Sequence, residues 1–270
     1  MVEEKHFTDE TALAKSSELA RTMAASSSID LLPTFLTQLE FEILNLLLFW
    51  QTDLPQKYVE NVIQTIYIFD RAEKISLQEI QDAKASFFLK EFVDLFQTYK
   101  GKTTLSLEKR ELAKSKIRKE YFTPDDKMPV EKKRLTLVAE INKIVPKPLA
   151  IPSHRAISNA LLNLEAQGYI RRKRIRAKTL WNVDPNFLQM RMERRKQIID
   201  EFVKLKNESK ESTKAERERD AMDILLKKYS PALLEFLGIE YWEDFAFSIL
   251  NEPVSLVLRY KDDLKALTRY

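Results

Sequence analysis

The sequence predicts a mainly α-helical protein that carries one short β-hairpin. The chain is rich in Leu, Ile, Glu and Lys and has only three Gly in 270 residues, a composition that favours helices. Apolar residues recur at helical spacing over most of its length. Residues typical of strands flank a cationic run only near residues 169–183. The apolar content of 44% predicts a globular chain with a sizeable core.

Several classes of chemistry are disfavoured by the composition. With so few Gly, the loops that cradle phosphates in dinucleotide-binding and P-loop proteins are absent. The chain has no Cys and two His, His6 and His154, which lie far apart in the sequence. Neither zinc-site spacing nor a Ser–His–Asp set is present. We therefore expect no catalytic residue, no metal and no cofactor, and a protein that is not an enzyme.

The sequence also predicts an intracellular location. The longest apolar run, "ILNLLLFW" at 43–50, is much shorter than the roughly 20 residues that span a bilayer. Glu3 and Glu4 stand near the N-terminus, where a secretory signal would be cationic and then apolar. We expect a protein that is neither secreted nor membrane-bound, and that is cytoplasmic and nucleoid-associated, or nuclear in a eukaryote.

The first half of the chain divides into a polar lead-in and a helical domain. Residues 1–30 are rich in Ser and Ala and predict a flexible lead-in. Residues 31–122 predict a helical domain that opens with an apolar helix running from Pro33 to Trp50. Within this domain Ser76 and Glu79 form the signature of a capping box, and the helix it starts is predicted to reach Tyr99.

Residues 130–184 predict a second, smaller domain. A helix over 131–145 is followed by "PKPLAIP", whose three Pro require an extended connection. Ser153 is a good N-cap for the next helix, and Gly168 stands where a left-handed C-cap belongs. The following residues, 169–183, predict a β-hairpin whose packed side consists of Ile170, Leu180, Trp181 and Val183.

Positive charge is concentrated around this small domain. Residues 101–200 hold 24 of the 45 Lys and Arg but only 11 of the 41 Asp and Glu. Six cations fall within the eight residues 171–178, and no acidic residue occurs from Gly168 to Val183. Such a run is typical of a surface that meets a polyanion. A nuclear-localisation patch or a merely solvated charge run are the other interpretations.

The segment "PSHRAISNALLNLEAQGYIRR", together with the "VDP" turn at 183–185, resembles the winged helix-turn-helix transcription regulators, broadly the MarR-like and TrmB-like families. The shared pattern is S-x-x-x-I-S-x-A-L-x-x-L-E-x-x-G-x-I-x-R, and the resemblance covers residues 153–186. It implies a recognition helix that enters the major groove of DNA and a hairpin, the wing, that lies on phosphates or in the minor groove. The helix over 131–145 would be the first or second helix of the motif.

The resemblance assigns two groups of residues to DNA binding. In the recognition helix they are Ser153, His154, Arg155, Ser158 and Asn159. In the wing they are Arg171, Arg172, Lys173, Arg174, Arg176 and Lys178.

Residues 185–270 predict a long charged helix and a C-terminal helical region. The resemblance implies that a helix leaving the wing mediates dimerisation; the alternative is that it packs on the chain's own N-terminal helices. The sequence thus predicts a DNA-binding transcription regulator whose partners are double-stranded DNA and, through the helical regions, a second copy or another protein. A plasmid or viral replication or partition protein, and a scaffold subunit that binds RNA or an acidic protein, are the alternatives.

Overall fold

The computed structural model describes residues 36–102, 105–125, 128–210, 213–238 and 253–268. The predicted lead-in, residues 1–30, and Pro33 lie outside them. The first-half helices are α1 (Gln38–Trp50), α2 (Gln56–Lys74), α3 (Leu77–Asp82), α4 (Phe87–Tyr99), α5 (Leu107–Tyr121) and α6 (Val130–Ile144). The second-half helices are α7 (His154–Ala166), α8 (Pro185–Glu208), α9 (Lys214–Lys228), α10 (Pro231–Phe236), α11 (Leu256–Arg259) and α12 (Lys261–Leu267). A 3₁₀ turn, Lys147–Leu149, precedes α7.

A small antiparallel sheet joins distant parts of the chain. Its strands are β1 (Leu54–Pro55), β2 (Ile170–Ile175) and β3 (Lys178–Val183), in the order β1–β3–β2. β1 lies between α1 and α2 and pairs with Leu180 and Trp181 of β3. The predicted fold class, mainly α with a short hairpin, is confirmed at this level. The third strand was not predicted, because two residues are too few to show an alternating pattern.

The core is built around α1 and α2. Both helices pack on α7, and α2 also packs on α4 and α6. Their interior residues include Leu44, Ile63 and Phe69, each fully buried. α11 and α12 return to this core, packing on α1, α2 and α5. The division into consecutive domains stays a prediction, but β1 and the last two helices link segments that it separates.

The helix predicted from Ser76 to Tyr99 is two helices. Ser76 and Glu79 form the predicted capping box at the start of α3. The chain then breaks at Lys84, whose φ is +49°, and restarts at Ser86, which caps α4. A positive φ cannot continue a right-handed helix. Phe87, the first residue of α4, is 76% exposed.

The helix predicted over 131–145 is present as α6. It packs on α2, α4 and α5. Helix α7 packs mainly on α1 and α2, and β1 between these two helices belongs to the same sheet as the hairpin. The role of α6 as the first or second helix of the motif stays a prediction.

None of the described helices combines the length and the apolar character needed to cross a membrane.

Candidate nucleic-acid interface

Helix α7 forms between two local signals that the sequence contains. The hydroxyl of Ser153 accepts a hydrogen bond from the Ala156 N–H, so Ser153 is the predicted N-cap. At the other end Gly168 has a φ of +80°, its N–H donates to the Glu165 carbonyl, and the Tyr169 N–H donates to the Leu164 carbonyl. This is a Schellman motif. It turns the chain directly into β2, which places the hairpin beside α7.

The two sides of α7 have different chemistry. Its buried side consists of Ile157, Ala160, Leu161 and Leu164. Arg155 and Asn159, one turn apart, lie on the opposite side and are exposed. Neither makes a hydrogen bond or an ion pair within the part of the chain that the structure describes. Arg155 and Asn159 are therefore available to an external ligand.

Two other predicted residues, His154 and Ser158, lie on the flank of α7 that faces α2. His154 Nδ1 is 2.9 Å from Glu60 Oε2, and the Ser158 hydroxyl accepts from Gln56 Nε2 at 3.4 Å. Both side chains are partly buried. The contacts of His154 and Ser158 join α7 to α2. These two residues therefore differ from Arg155 and Asn159, which are exposed.

The first turn of α6 lies near the first turn of α2, on the same flank. Lys57 Nζ is 2.9 Å from Glu131 Oε2. This hydrogen bond lowers the pKa of the Glu131 carboxyl, and the nearby charges of Lys57, Arg134 and His154 act in the same direction. The surface beside the start of α7 therefore carries paired charges of both signs.

The register of the hairpin assigns its side chains to two faces. Ile170 pairs with Val183, and both are buried. Trp181, two residues along β3, is buried on that same face. Leu180 was also predicted on the packed side, but it lies on the other face and is half-buried. That prediction was wrong because neighbouring residues of a strand point in opposite directions.

Two of the six predicted wing cations have partners inside the protein. Arg172 Nε is 3.3 Å from Glu165 Oε1, and its guanidinium lies over the Trp181 ring at 5.8 Å from the centroid. Lys173 Nζ is 3.7 Å from Asp53 Oδ2. Both contacts orient the hairpin against the helices and the chain before β1.

The other four cations are exposed and make no ion pair with the described residues: Arg171, Arg174, Arg176 and Lys178. Arg174, Arg176 and Lys178 surround the two-residue turn, Arg176–Ala177, that joins the strands. Arg176 has a φ of +54°. No acidic side chain belongs to the hairpin, so its outer end has a strongly positive potential.

The exposed side chains described on this surface are mainly cations and an amide. Guanidinium and ammonium groups recognise phosphate, and Arg and amide side chains match the edges of guanine and adenine. No group of three or more His, Asp or Glu that could hold a metal occurs among the described residues.

Comparison with known proteins adds no relative: no family model, no curated protein and no solved structure matches the chain.

The sequence did not reveal the acidic partners of the interface. Glu60 and Asp53 come from the region around β1, and 94 residues separate Glu60 from His154. Only the fold brings these residues together. The sequence feature that indicated this surface was the absence of Asp and Glu from the hairpin itself.

Proposed function

We propose that the protein binds double-stranded DNA through a winged helix-turn-helix unit, with α7 in the major groove and the β2–β3 hairpin on the backbone. The observation that carries this proposal is a set of exposed side chains that make no ion pair with the described residues: Arg171, Arg174, Arg176 and Lys178 on the hairpin, and Arg155 and Asn159 on α7. A surface of unpaired cations next to hydrogen-bonding side chains suits phosphates and base edges at once.

The topology supports the same assignment. A winged helix-turn-helix has a strand between its first two helices and a hairpin after the third, and these strands form one sheet. Here α1, β1, α2, α7 and the hairpin occur in that order, with β3 between β1 and β2. In this scheme residues 75–152 are an insertion between the second helix and the recognition helix. Transcription regulation is the role we favour for such a protein.

The test is the salt dependence of binding to a duplex of about 30 base pairs. For the wild type, the affinity should fall steeply between 50 and 200 mM salt, with a slope of about 0.9 per phosphate neutralised. A variant with Arg171, Arg174, Arg176 and Lys178 changed to Ala should show a slope lower by about 2 to 4.

The matched control removes four exposed cations elsewhere. Lys109, Lys116, Arg118 and Lys119 are exposed on α5, which packs on α4. Their replacement by Ala should leave the slope close to the wild-type value. Equal losses in the two variants, or no duplex binding by the wild type at 50 mM salt, would refute the proposal. Tighter binding to an RNA duplex or an acidic protein would favour the scaffold alternative.

We further propose that two copies associate through the outer face of α8. Its inner face buries Phe187, Ile198 and Phe202. The opposite face exposes Met192 (67%) and Val203 (41%), in line with a groove that Leu188 and Ile199 border. An apolar stripe along a 24-residue helix suits self-association.

Light scattering tests this pairing. The wild type should have twice the mass of the single chain, and Met192→Glu with Val203→Glu should return it to the monomer. Gln197→Glu changes an exposed residue off this stripe and should leave the dimer intact. A wild-type monomer at micromolar concentration would rule the pairing out and leave DNA binding unaffected.

A further inference from the structure

Ile175 occupies an unusual place at the outer end of the hairpin. It is the last residue of β2, opposite Lys178, and 44% of it is exposed. β1 supports β3 only at Leu180 and Trp181, so the hairpin projects beyond the three-stranded part of the sheet. Among the described residues, Ile175 is not one of the hydrophobic side chains that pack on the core.

A single exposed Ile is common on protein surfaces and indicates little by itself. Here, however, the next residue is also unfavourable for folding. Arg176 has a φ of +54° in a turn position where Gly is the residue without steric cost. A strained backbone at Arg176 thus stands next to an exposed apolar residue, and both side chains are exposed at the tip. Such a combination indicates a contact outside the chain.

The charges around Ile175 favour an anionic partner. Arg174 and Arg176 are its neighbours in the chain, Lys178 is opposite, and none of the three has an ion pair within the described residues. An apolar protein surface would have to strip water from these cations, whereas the two phosphate rows of a DNA groove neutralise them. The surroundings therefore favour a nucleic acid over an apolar protein patch.

We propose that Ile175 is a wedge that enters the minor groove of DNA, inserts between two base pairs and bends the duplex. Apolar side chains of this kind part a base step, and flanking cations hold the phosphates on either side. The steps that open most easily are pyrimidine–purine steps such as TA, so the bound sequence should contain one under the hairpin. This inference rests on the proposed DNA-binding function.

The test measures DNA bending separately from DNA affinity. A 30-base-pair duplex with one central TA step carries a donor and an acceptor fluorophore at its ends. The wild type should raise energy transfer on binding. Ile175→Ala should bind about 3- to 10-fold more weakly, keep the salt slope and lose most of the change in energy transfer. Ile175→Met, which keeps an apolar side chain at this position, should retain the change in energy transfer.

Arg176→Gly is the matched control at the neighbouring position. It removes one charge and suits the positive φ, so it should lower the salt slope by about 0.9 and leave the bend in place. A duplex with a mismatch at the TA step is already flexible, and on it Ile175→Ala should recover most of its lost affinity.

The outcomes separate this inference from the function on which it rests. Absence of duplex binding by the wild type would overturn the proposed function. Duplex binding with no change in energy transfer, or a bend that persists in Ile175→Ala, would overturn the wedge alone. Circular dichroism spectra that match the wild type establish that each variant is folded.

Discussion

Arg155 and Asn159 are the two residues of α7 on which sequence readout should depend. Both are exposed and have no ion pair or hydrogen bond in the described chain. Ser153 is used as the N-cap, and His154 and Ser158 face α2. The fold thus leaves Arg155 and Asn159 exposed and uses the side chains of Ser153, His154 and Ser158 in contacts within the described chain.

Changing Arg155 and Asn159 to Ala should weaken binding to a preferred sequence and leave binding to random DNA nearly unchanged. Each lost base contact costs about 1–3 kcal/mol of discrimination. The measurement is competition between a duplex selected from a random pool and bulk DNA. Arg171→Ala should instead weaken both complexes by a similar factor, because a phosphate contact carries no sequence information. A double variant that keeps its preference would exclude α7 from base readout.

The Lys57–Glu131 pair supports a prediction about pH at the same scale. The pKa of Glu131 is lowered in the folded protein, so its contribution to stability is present above the unfolded pKa, about 4.3, and is lost as the pH falls through the folded value. Both side chains are largely exposed, which limits the coupling to about 0.2–1 kcal/mol.

A double-mutant cycle with Lys57→Ala and Glu131→Ala, measured by urea unfolding, checks this pair. The coupling should be detectable at pH 7 in low salt and should be smaller at pH 3. A coupling that is larger at pH 3 would contradict the assigned direction of the shift.

At the scale of elements, local signals were reliable and long-range pairings were not. The Ser76 capping box, the Ser153 N-cap and the Gly168 C-cap were all predicted from adjacent residues and are confirmed. β1 was missed because nothing within two residues indicates a strand. Its pairing partner lies well over a hundred residues further on.

Both turns that flank β2 have a residue with positive φ, so Gly168→Ala and Arg176→Gly should change the free energy of unfolding in opposite directions. At Gly168 an added Cβ would meet no atom within 4 Å, so Gly168→Ala carries only the backbone cost of φ +80°, about 1–2 kcal/mol. Arg176→Gly relieves a similar strain, although the greater freedom of the unfolded chain offsets part of the gain. Urea unfolding should show a lower free energy of unfolding for Gly168→Ala. For Arg176→Gly the free energy of unfolding should rise or stay unchanged.

At the scale of the whole molecule, the excess of Lys and Arg in residues 101–200 did not predict which part of the surface is cationic. The basic region 101–200 includes α5 and α6 as well as the hairpin. Some of its cations serve the fold: Lys133 is 3% exposed, and its ammonium is 2.6 Å from Asp125 Oδ2. The hairpin differs from α5 and α6 because it contains no Asp or Glu. This absence predicted the candidate site, which the net charge of residues 101–200 alone could not locate.

The end of the chain closes the core, which no local pattern predicted. Glu42 of α1 is fully buried and accepts hydrogen bonds from the Ser255 hydroxyl at 2.8 Å, the Leu256 N–H at 2.9 Å and the Val257 N–H at 3.0 Å. Burial raises the pKa of this carboxyl, and the three donors oppose that rise. Two segments more than 200 residues apart are thus joined through one carboxylate.

Ser255→Ala should destabilise the protein more at high pH than at low pH. Because the pKa of Glu42 is raised on folding, its contribution to stability is fully present below the unfolded pKa and is lost as the pH rises through the folded value. Removing the Ser255 hydroxyl raises the folded pKa further and leaves the charged form with one donor fewer. The expected loss is about 1 kcal/mol or less where the Glu42 carboxyl is protonated and about 1.5–3 kcal/mol where it is ionised, measured by urea unfolding over a series of pH values from 4 upward. Thr268→Ala is the control, because the Thr268 hydroxyl donates to the Leu264 carbonyl, which does not titrate. Its cost should be the same at all of these pH values, and an equally flat profile for Ser255→Ala would show that Glu42 does not carry the charge that joins the two ends of the chain.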